Sequence, residues 1–281
     1  QMSFEDMSLL VNLGGWQTAQ IDSVGKVATS DCDGPAGVNN FITGTYGTPY
    51  PTEVLMAQTW NTDLLYDLGL AMGQEYADVN NYGVYGPAMN THRSAFAGRN
   101  FEYYSEDGVL AGKLAAAQVN AMATKGTYNY IKHFALNDQE TNRCAFLLTY
   151  SNEQAIREIY LKPFELCIKN FDGTQIAVMS SFNWIGTVPA CANEDTLTTI
   201  LRNEWGFQGM VITDYDGSYG YMITDHCVRT GNDLMLGFSS QASNQLTNTE
   251  SATLNNALRT SCKNIMYTIA NSGYYTNTTD D

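Results

Sequence analysis

A chain of 281 residues is long enough for one large α/β domain with a full hydrophobic core. Its 14 Lys plus Arg stand against 29 Asp plus Glu, a formal charge of -15, which disfavours nucleic acid and anionic membranes as partners. Charged residues make only 15 % of the chain, whereas 18 tyrosines and many Asn, Thr and Ser suit a cleft that hydrogen-bonds and stacks on a neutral ligand.

The first strand is predicted at 27–31, followed by the turn Asp33-Gly-Pro-Ala-Gly. Apolar residues at helical spacing across 52–79, among them Val54, Leu55, Leu64, Leu65 and Leu68, give two helices broken near Trp60 and Asn61. A short strand at 82–85 precedes a Gly- and Asn-rich loop at 86–99, long enough to be functional or disordered. A helix at about 106–125, a strand at 128–134, a helix at about 152–170 and a strand at 175–179 follow. A loop with Asn183, Gly186 and Pro189 and a helix at about 195–204 lead into the apolar run Gly209-Met-Val-Ile-Thr-Asp214. Residues 232–236 read as one more strand, 251–271 as a last amphipathic helix, and the tail from about 276 as disordered.

No apolar stretch reaches the roughly 18 residues of a membrane span, no Pro/Ser-rich linker divides the chain, and the start Gln1-Met-Ser has no signal-peptide form. Cys32, Cys144, Cys167, Cys191, Cys227 and Cys262 show neither CxxC nor Cys/His ligand spacing. They read as buried free thiols, with disulfides and the compartment, secreted or cytoplasmic, left open.

Alternating strands and helices make a parallel α/β arrangement. With about six strands against the eight of a closed barrel, the expected fold is a TIM-type (β/α)8 barrel, incomplete or irregular, as a single domain spanning 1–281. Strand tips hold the chemistry of such barrels, and successive strands here stop at polar groups. Asp214 ends an apolar strand, where packing fixes it and the loop leaves the mouth open, so it is the candidate nucleophile for glycoside cleavage. Capping of the next helix is its alternative role. Lys132 and His133 are neighbours in one strand and should point to opposite sides unless the backbone is distorted there. Together they could hold sugar hydroxyls; otherwise Lys132 pairs with Asp138 or Glu140, and His133 bonds a backbone carbonyl.

Asp33 can accept two hydrogen bonds from vicinal hydroxyls. Arg99 could donate through its fork to an oxygen or form a salt bridge to Glu102 or Glu106, and Arg93 is a weaker candidate of the same kind. Met179 and Phe182 would form an apolar wall, or simply core, and Tyr215 offers a ring face beside Asp214.

Six blocks in order, Asp33-Gly-Pro-Ala-Gly, Gly98-Arg-Asn-Phe-Glu-Tyr-Tyr-Ser-Glu-Asp107, Lys132-His-Phe-Ala-Leu-Asn-Asp-Gln-Glu-Thr-Asn-Arg143, Arg157-Glu-Ile-Tyr-Leu-Lys-Pro-Phe164, Met179-Ser-Ser-Phe-Asn183 and Leu201-Arg-Asn-Glu-Trp-Gly-Phe-Gln-Gly-Met-Val-Ile-Thr-Asp-Tyr215, closely resemble the catalytic barrel of family 3 glycoside hydrolases, the β-glucosidase and β-xylosidase type. By that resemblance Asp214 falls on the nucleophile, and Asp33, Arg99, Lys132, His133, Met179 and Phe182 fall on positions lining the glycone subsite. The resemblance implies an exo-acting β-glucosidase that retains configuration through a covalent glycosyl-enzyme, takes a β-linked oligosaccharide or glycoside, and uses no cofactor or metal.

Three departures stand beside it. The family usually has Trp after the nucleophile, here Tyr215, and Tyr where Phe182 stands, which removes a hydroxyl near the nucleophile. The general acid/base of the β-glucosidase branch is a Glu on a separate α/β sandwich domain, which this chain lacks. The β-N-acetylglucosaminidase branch carries an Asp/His dyad after a Lys-His-Phe-Pro-Gly-His-Gly block, whereas this chain reads Lys132-His-Phe-Ala-Leu-Asn-Asp. The expectation is therefore a catalytic barrel whose acid/base comes from a missing partner domain or chain, or alternatively a carbohydrate-binding barrel that keeps the glycone subsite without an acid/base.

Overall fold

The computed structural model describes residues 1–217 and 219–276. Of the tail expected to be disordered, 277–281 lie outside these residues, and Thr276 closes the helical turn Gly273–Thr276. The strands in chain order are β1 (Asp31–Asp33), β2 (Asn39–Asn40), β3 (Thr45–Tyr46), β4 (Gly83–Tyr85), β5 (Tyr128–Phe134), β6 (Leu148–Thr149), β7 (Ala177–Ser180), β8 (Trp184–Ile185), β9 (Val188–Pro189) and β10 (Val211–Ile212). The main sheet runs β10-β7-β5-β4-β1-β2-β3, with its first five strands parallel and β2 and β3 added as an antiparallel hairpin. It is the open, irregular form of a TIM-type (β/α)8 barrel, and β6, β8 and β9 make a small separate sheet.

The two-residue strand period builds both layers of the core. Tyr85, Tyr130, Ala177, Met179 and Ile212 turn inward onto Leu10, Leu258 and Ile265 of the first and last long helices, Phe4–Asn12 and Ala252–Ala270. Ile131, Val178 and Val211 turn outward beneath Leu65, Leu114, Phe164 and Leu197 of the surrounding helices. Burial on both faces explains why these strands read as continuous apolar runs. Trp60, at φ 53°, breaks the helical pattern between Glu53–Ala57 and Thr62–Asp78, and the Asn61 side chain caps the second helix.

Besides the unforeseen short strands β2, β3, β6, β8 and β9 and the helix Thr224–Thr230, three expected elements differ from the sequence reading. The first strand lies at Asp31–Asp33 instead of 27–31, because Lys26 turns inward to donate to Thr18 Oγ1, Ala19 O and Val27 O, curling the preceding segment away from the sheet. The helix at 152–170 is divided by a π turn at Ile156–Tyr160, after which Pro163 sits in the first turn of Lys162–Lys169, where its missing N–H costs nothing. Residues 232–236 contribute a single parallel bridge, Ile212 to Leu234, and occupy the sixth barrel position.

The remaining gap is sealed by the end of the helix Phe4–Asn12 and the irregular chain after it: Met235 N donates to Val11 O at 2.8 Å and Asp31 N to Trp16 O at 3.0 Å. The 232–236 segment is pinned by Asp233, which is 1 % exposed and accepts from Arg202 Nη2 at 2.6 Å, Val211 N at 2.8 Å and Asn264 Nδ2 at 3.0 Å. Asp233→Ala leaves the Arg202 guanidinium and two other donors without their acceptor. It should lower the unfolding free energy by about 3–5 kcal/mol in urea titration.

Candidate active site

The C-terminal ends of the parallel strands open on a cavity of about 210 Å3 that adjoins a wider one of about 580 Å3, the two sharing Asp33, Arg99 and Lys132. Asp33 ends β1. Tyr76 fixes the turn behind it, its hydroxyl lying 3.3, 3.0 and 3.1 Å from the carbonyls of Asp33, Gly34 and Gly37. Gly34, at φ 149°, has no Cβ to collide with that hydroxyl. One Asp33 oxygen, Oδ2, accepts from Trp16 Nε1 at 3.2 Å.

β5 supplies the paired residues. Its register against β7 shifts between Ile131 and Phe134, and the Lys132–His133 peptide is cis. The register shift falls where an ordinary strand would send the two side chains apart, and both line the same cavity. Lys132 Nζ lies 3.1 Å from Glu102 Oε1, not beside Asp138 or Glu140. Arg99 meets the other Glu102 oxygen at 2.7 Å, so its partner is Glu102 and not Glu106. Burial alone would raise the Glu102 pKa, but Lys132 and Arg99 hold it below the usual value.

His133 bonds no backbone carbonyl through its ring: Nδ1 faces the Tyr103 hydroxyl at 3.3 Å and Nε2 faces Asp214 Oδ2 at 3.7 Å. Burial, reinforced by Arg99, Lys132 and Arg143, pushes its pKa well below 6.5, so the ring is neutral. A carboxylate beyond Nε2 selects the Nε2–H tautomer, leaving Nδ1 to accept from Tyr103.

Asp214 follows β10 and caps no helix. Its Oδ1 accepts from Tyr215 N at 2.8 Å, while Oδ2 is buried without a hydrogen-bond partner among the described residues. Burial raises its pKa against the pull of Arg143, the Tyr215 N–H, Arg99 and Lys132. A carboxylate with one oxygen anchored and the other facing a small polar cavity can attack an electrophilic carbon.

The structure gathers Asp33, Arg99, Lys132, His133, Met179, Asp214 and Tyr215 around the cavity. Phe182 and Arg93 stand apart from it. Phe182 is 3 % exposed and lies behind the lining, its ring 4.4 Å from the Arg143 guanidinium carbon. Arg93 turns away to Tyr160 Oη at 3.0 Å, at the end of the π turn, and to Asp138 at 3.6 Å, with 57 % of its side chain exposed. Sequence reasoning missed Trp16 and the roles of Glu102 and Arg143. Arg143 lines the cavity, pairs with Glu140 at 3.0 Å and leaves Nη1 buried without a hydrogen-bond partner among the described residues. Its signal was its place at the end of the Lys132–Arg143 block; Trp16 had only the Gly14-Gly15 pair before it.

All six cysteines carry free thiols, and Cys144 alone is not buried. Among the described residues no group of three or more His, Cys, Asp or Glu could hold a metal ion, and no helix is long and apolar enough to cross a membrane.

With this geometry in hand, the chain can be set beside known proteins. The sequence model of the "Glycosyl hydrolase family 3 N terminal domain" matches residues 21–247. Beta-glucosidase A of Butyrivibrio fibrisolvens is 40 % identical over 245 residues, which is 84 % of this chain and 29 % of that protein. Beta-glucosidase B of Emericella nidulans is 37 % identical over 217 residues, 76 % of this chain and 25 % of its own length. The chain therefore spans less than a third of these relatives. Beta-glucosidase 3B of Thermotoga neapolitana, solved in complex with alpha-D-glucose, superposes with a TM-score of 0.86 at 33 % identity, covering 99 % of this chain and 42 % of that one. The GH3 beta-glucosidase of Bifidobacterium adolescentis gives 0.89 at 28 % identity, covering 100 % and 41 %.

The environment of Asp214 has a thermodynamic signature. A carboxyl whose folded pKa lies above its unfolded value loses stability as pH rises above the latter, since the unfolded chain releases the proton first. Asp214→Asn should therefore melt above the wild type at neutral pH, and the difference should close as pH falls toward the ordinary value of 3.8, as read by thermal denaturation across pH.

Proposed function

The chain belongs to glycosyl hydrolase family 3, and from that membership and the Asp214 cavity we propose that it is the catalytic barrel of a retaining exo-β-glycosidase, acting on terminal β-D-glucosyl residues. The observation that carries this reading is Asp214 itself, 8 % exposed, with Oδ2 lacking a hydrogen-bond partner among the described residues and facing the cavity that Arg99, Lys132 and Arg143 also line.

In the proposed reaction, Asp214 Oδ2 attacks the anomeric carbon and the bond to the leaving oxygen breaks as an acid on the opposite face protonates it. Water, deprotonated by the same group, then attacks the glycosyl ester and releases the carboxylate. Asp33 and His133 together with the cations Arg99, Lys132 and Arg143 hold the ring hydroxyls, and no cofactor takes part. Neutral His133 donates beside Asp214 without adding a charge that the cationic transition state would oppose.

The barrel's carboxyls near the cavity are committed elsewhere, and Asp138, its pKa pushed up to about 6 by burial, lines a separate cavity with Arg93. Glu102 lies between Arg99 and Lys132 with its pKa held low, Asp33 is bonded to Trp16, and Glu140 is held by Arg143. Glu53, whose pKa burial and Glu102 push well up, is enclosed in the core at 1 % exposure. The acid/base is therefore assigned to an α/β sandwich domain outside this sequence, on the same or a partner chain; the greater length of the relatives supports this. The same commitments favour a second reading, a barrel that binds sugar without cleaving it.

An aryl β-glucoside with a good leaving group separates the two, since it needs little acid assistance. The full chain should be glycosylated on Asp214, azide should hasten release, and a 2-fluoro glucoside should label the same residue. Asp214→Ala should slow glycosylation roughly 1000-fold or more in single-turnover kinetics. Labelling elsewhere, or a surviving burst in the variant, refutes the nucleophile; glucose binding without glycosylation selects the binding barrel.

A further inference from the structure

The wider cavity, of about 580 Å3, takes no part in the reaction at Asp214. Asp33, Arg99 and Lys132 line it as they line the nucleophile cavity, whereas Asp214, His133 and Arg143 line the smaller one alone. The groups that hold ring hydroxyls therefore stand between Asp214 and a larger chamber. A substituent on a hydroxyl held there, remote from the anomeric carbon, would point into that chamber, while a leaving group departs beside Asp214 and Tyr215.

The far wall of the chamber is built. Gly47 N donates to Val38 O and Tyr50 N to Ala36 O, both at 2.9 Å, which ties the loop after β1 to the chain leaving the β2–β3 hairpin. Glu75, on the helix Thr62–Asp78, accepts from Thr48 N at 2.9 Å and from the Tyr50 hydroxyl at 2.8 Å. Gly37, at φ 121°, has no Cβ to meet Thr48 O, so the two segments lie backbone against backbone. A wall fixed in this way is preorganised, and a ligand need not order it.

The wall presents polar groups. Asn39 of β2 and Tyr46 of β3 stand opposite each other in the hairpin register, and both line the chamber. Neither side chain is hydrogen-bonded among the described residues, and Tyr46 is 67 % exposed, which leaves its ring face and its hydroxyl available. Across from them Arg99 and Lys132 carry more donors than Glu102 accepts. An aromatic face beside amide, ammonium and guanidinium donors suits a pyranose, whose C–H face stacks while its hydroxyls pair. An apolar substituent would leave those donors without partners.

We infer that the chamber bounded by Asn39, Tyr46 and Thr48 is a subsite for a second sugar, joined to the glucosyl residue on the side away from the scissile bond. The inference rests on the glycosidase reading of the Asp214 cavity and extends its substrate class from a single glucosyl residue to a glycosylated one, released as a disaccharide.

The test is covalent labelling of the full chain with 2,4-dinitrophenyl 2-deoxy-2-fluoro-β-glucoside and with its counterparts bearing a further β-glucosyl unit on O3, O4 or O6 of the fluorinated ring. In each case the Asp214 carboxylate bonds the anomeric carbon and dinitrophenolate leaves with the bonding electrons, so the readout needs no acid. At least one disaccharide reagent should add the mass of two sugars to Asp214, at a rate equal to or above that of the monosaccharide reagent. Asn39→Ala with Tyr46→Ala should lower the ratio of disaccharide to monosaccharide labelling rates roughly tenfold, the loss of a ring contact and a hydrogen bond. Labelling by the monosaccharide reagent alone, or a ratio unchanged in the double variant, overturns the subsite and leaves the glycosidase reading standing. Labelling of Asp214 by none of the reagents overturns that reading and the subsite with it.

Discussion

Glu102 takes Arg99 on one carboxylate oxygen at 2.7 Å and Lys132 on the other at 3.1 Å, and the geometry of the cavity follows from that double pairing. Two buried cations side by side would repel each other and, unpaired, would be too costly to desolvate. Glu102 balances them from behind, so they face the cavity with donors to spare. Glu140 does the same for Arg143. With the cations matched by carboxylates outside the 210 Å3 cavity, Asp214 has Oδ1 held by the Tyr215 N–H and Oδ2 without a hydrogen-bond partner among the described residues, at the cost of a pKa raised by burial. The pairing of the second layer is thus what leaves the first layer reactive.

The barrel's incompleteness serves the same end. A closed eight-stranded wall would run two regular strands between the 232–236 segment and β1. Here the end of the helix Phe4–Asn12 and the irregular residues after it, up to Trp16, cross that gap with isolated backbone bonds to Met235 and Asp31. Irregular chain at the seam allows Gly14 and Gly15 to press against 234–238 and deliver Trp16 to the mouth, where it holds Asp33. A strand could present a side chain there only at the alternate positions its pleat allows.

Much of this was legible in the sequence, for reasons that differ by residue. The strand Tyr128–Phe134 was read to its last residue because strands buried on both faces are continuously apolar, and a Lys-His pair at such a strand's end has no ordinary core role. Asp214 was legible for the same reason. Resemblance of motifs gathered Asp33, Arg99, Lys132, His133 and Met179, all of which reach the cavity. What escaped were features set by tertiary contacts. Lys26 is a charged residue 1 % exposed, and no local pattern announces that it will fold inward and displace the first strand. Arg93 and Arg99 sit on one loop with similar neighbours in sequence, yet the first finds Tyr160 and Asp138 outside while the second finds Glu102 inside. Trp16 carries no motif at all; its role comes from a seam that only the folded chain creates.

Phe182, where the family resemblance leads one to expect tyrosine, stands beside Arg143. A phenolic hydroxyl near Asp214 would supply a neutral donor to the carboxylate. Phe182 supplies none, and its ring instead supports the Arg143 guanidinium 4.4 Å away, a contact that gains strength where water is excluded. Arg143 is the foremost of the influences holding the Asp214 pKa down, ahead of the Tyr215 N–H, Arg99 and Lys132. The carboxylate is thus stabilised by a longer-range charge held against a ring. Because a charge acts on the carboxylate without occupying either lone pair, Oδ2 keeps its full acceptor capacity for an incoming hydroxyl or carbon.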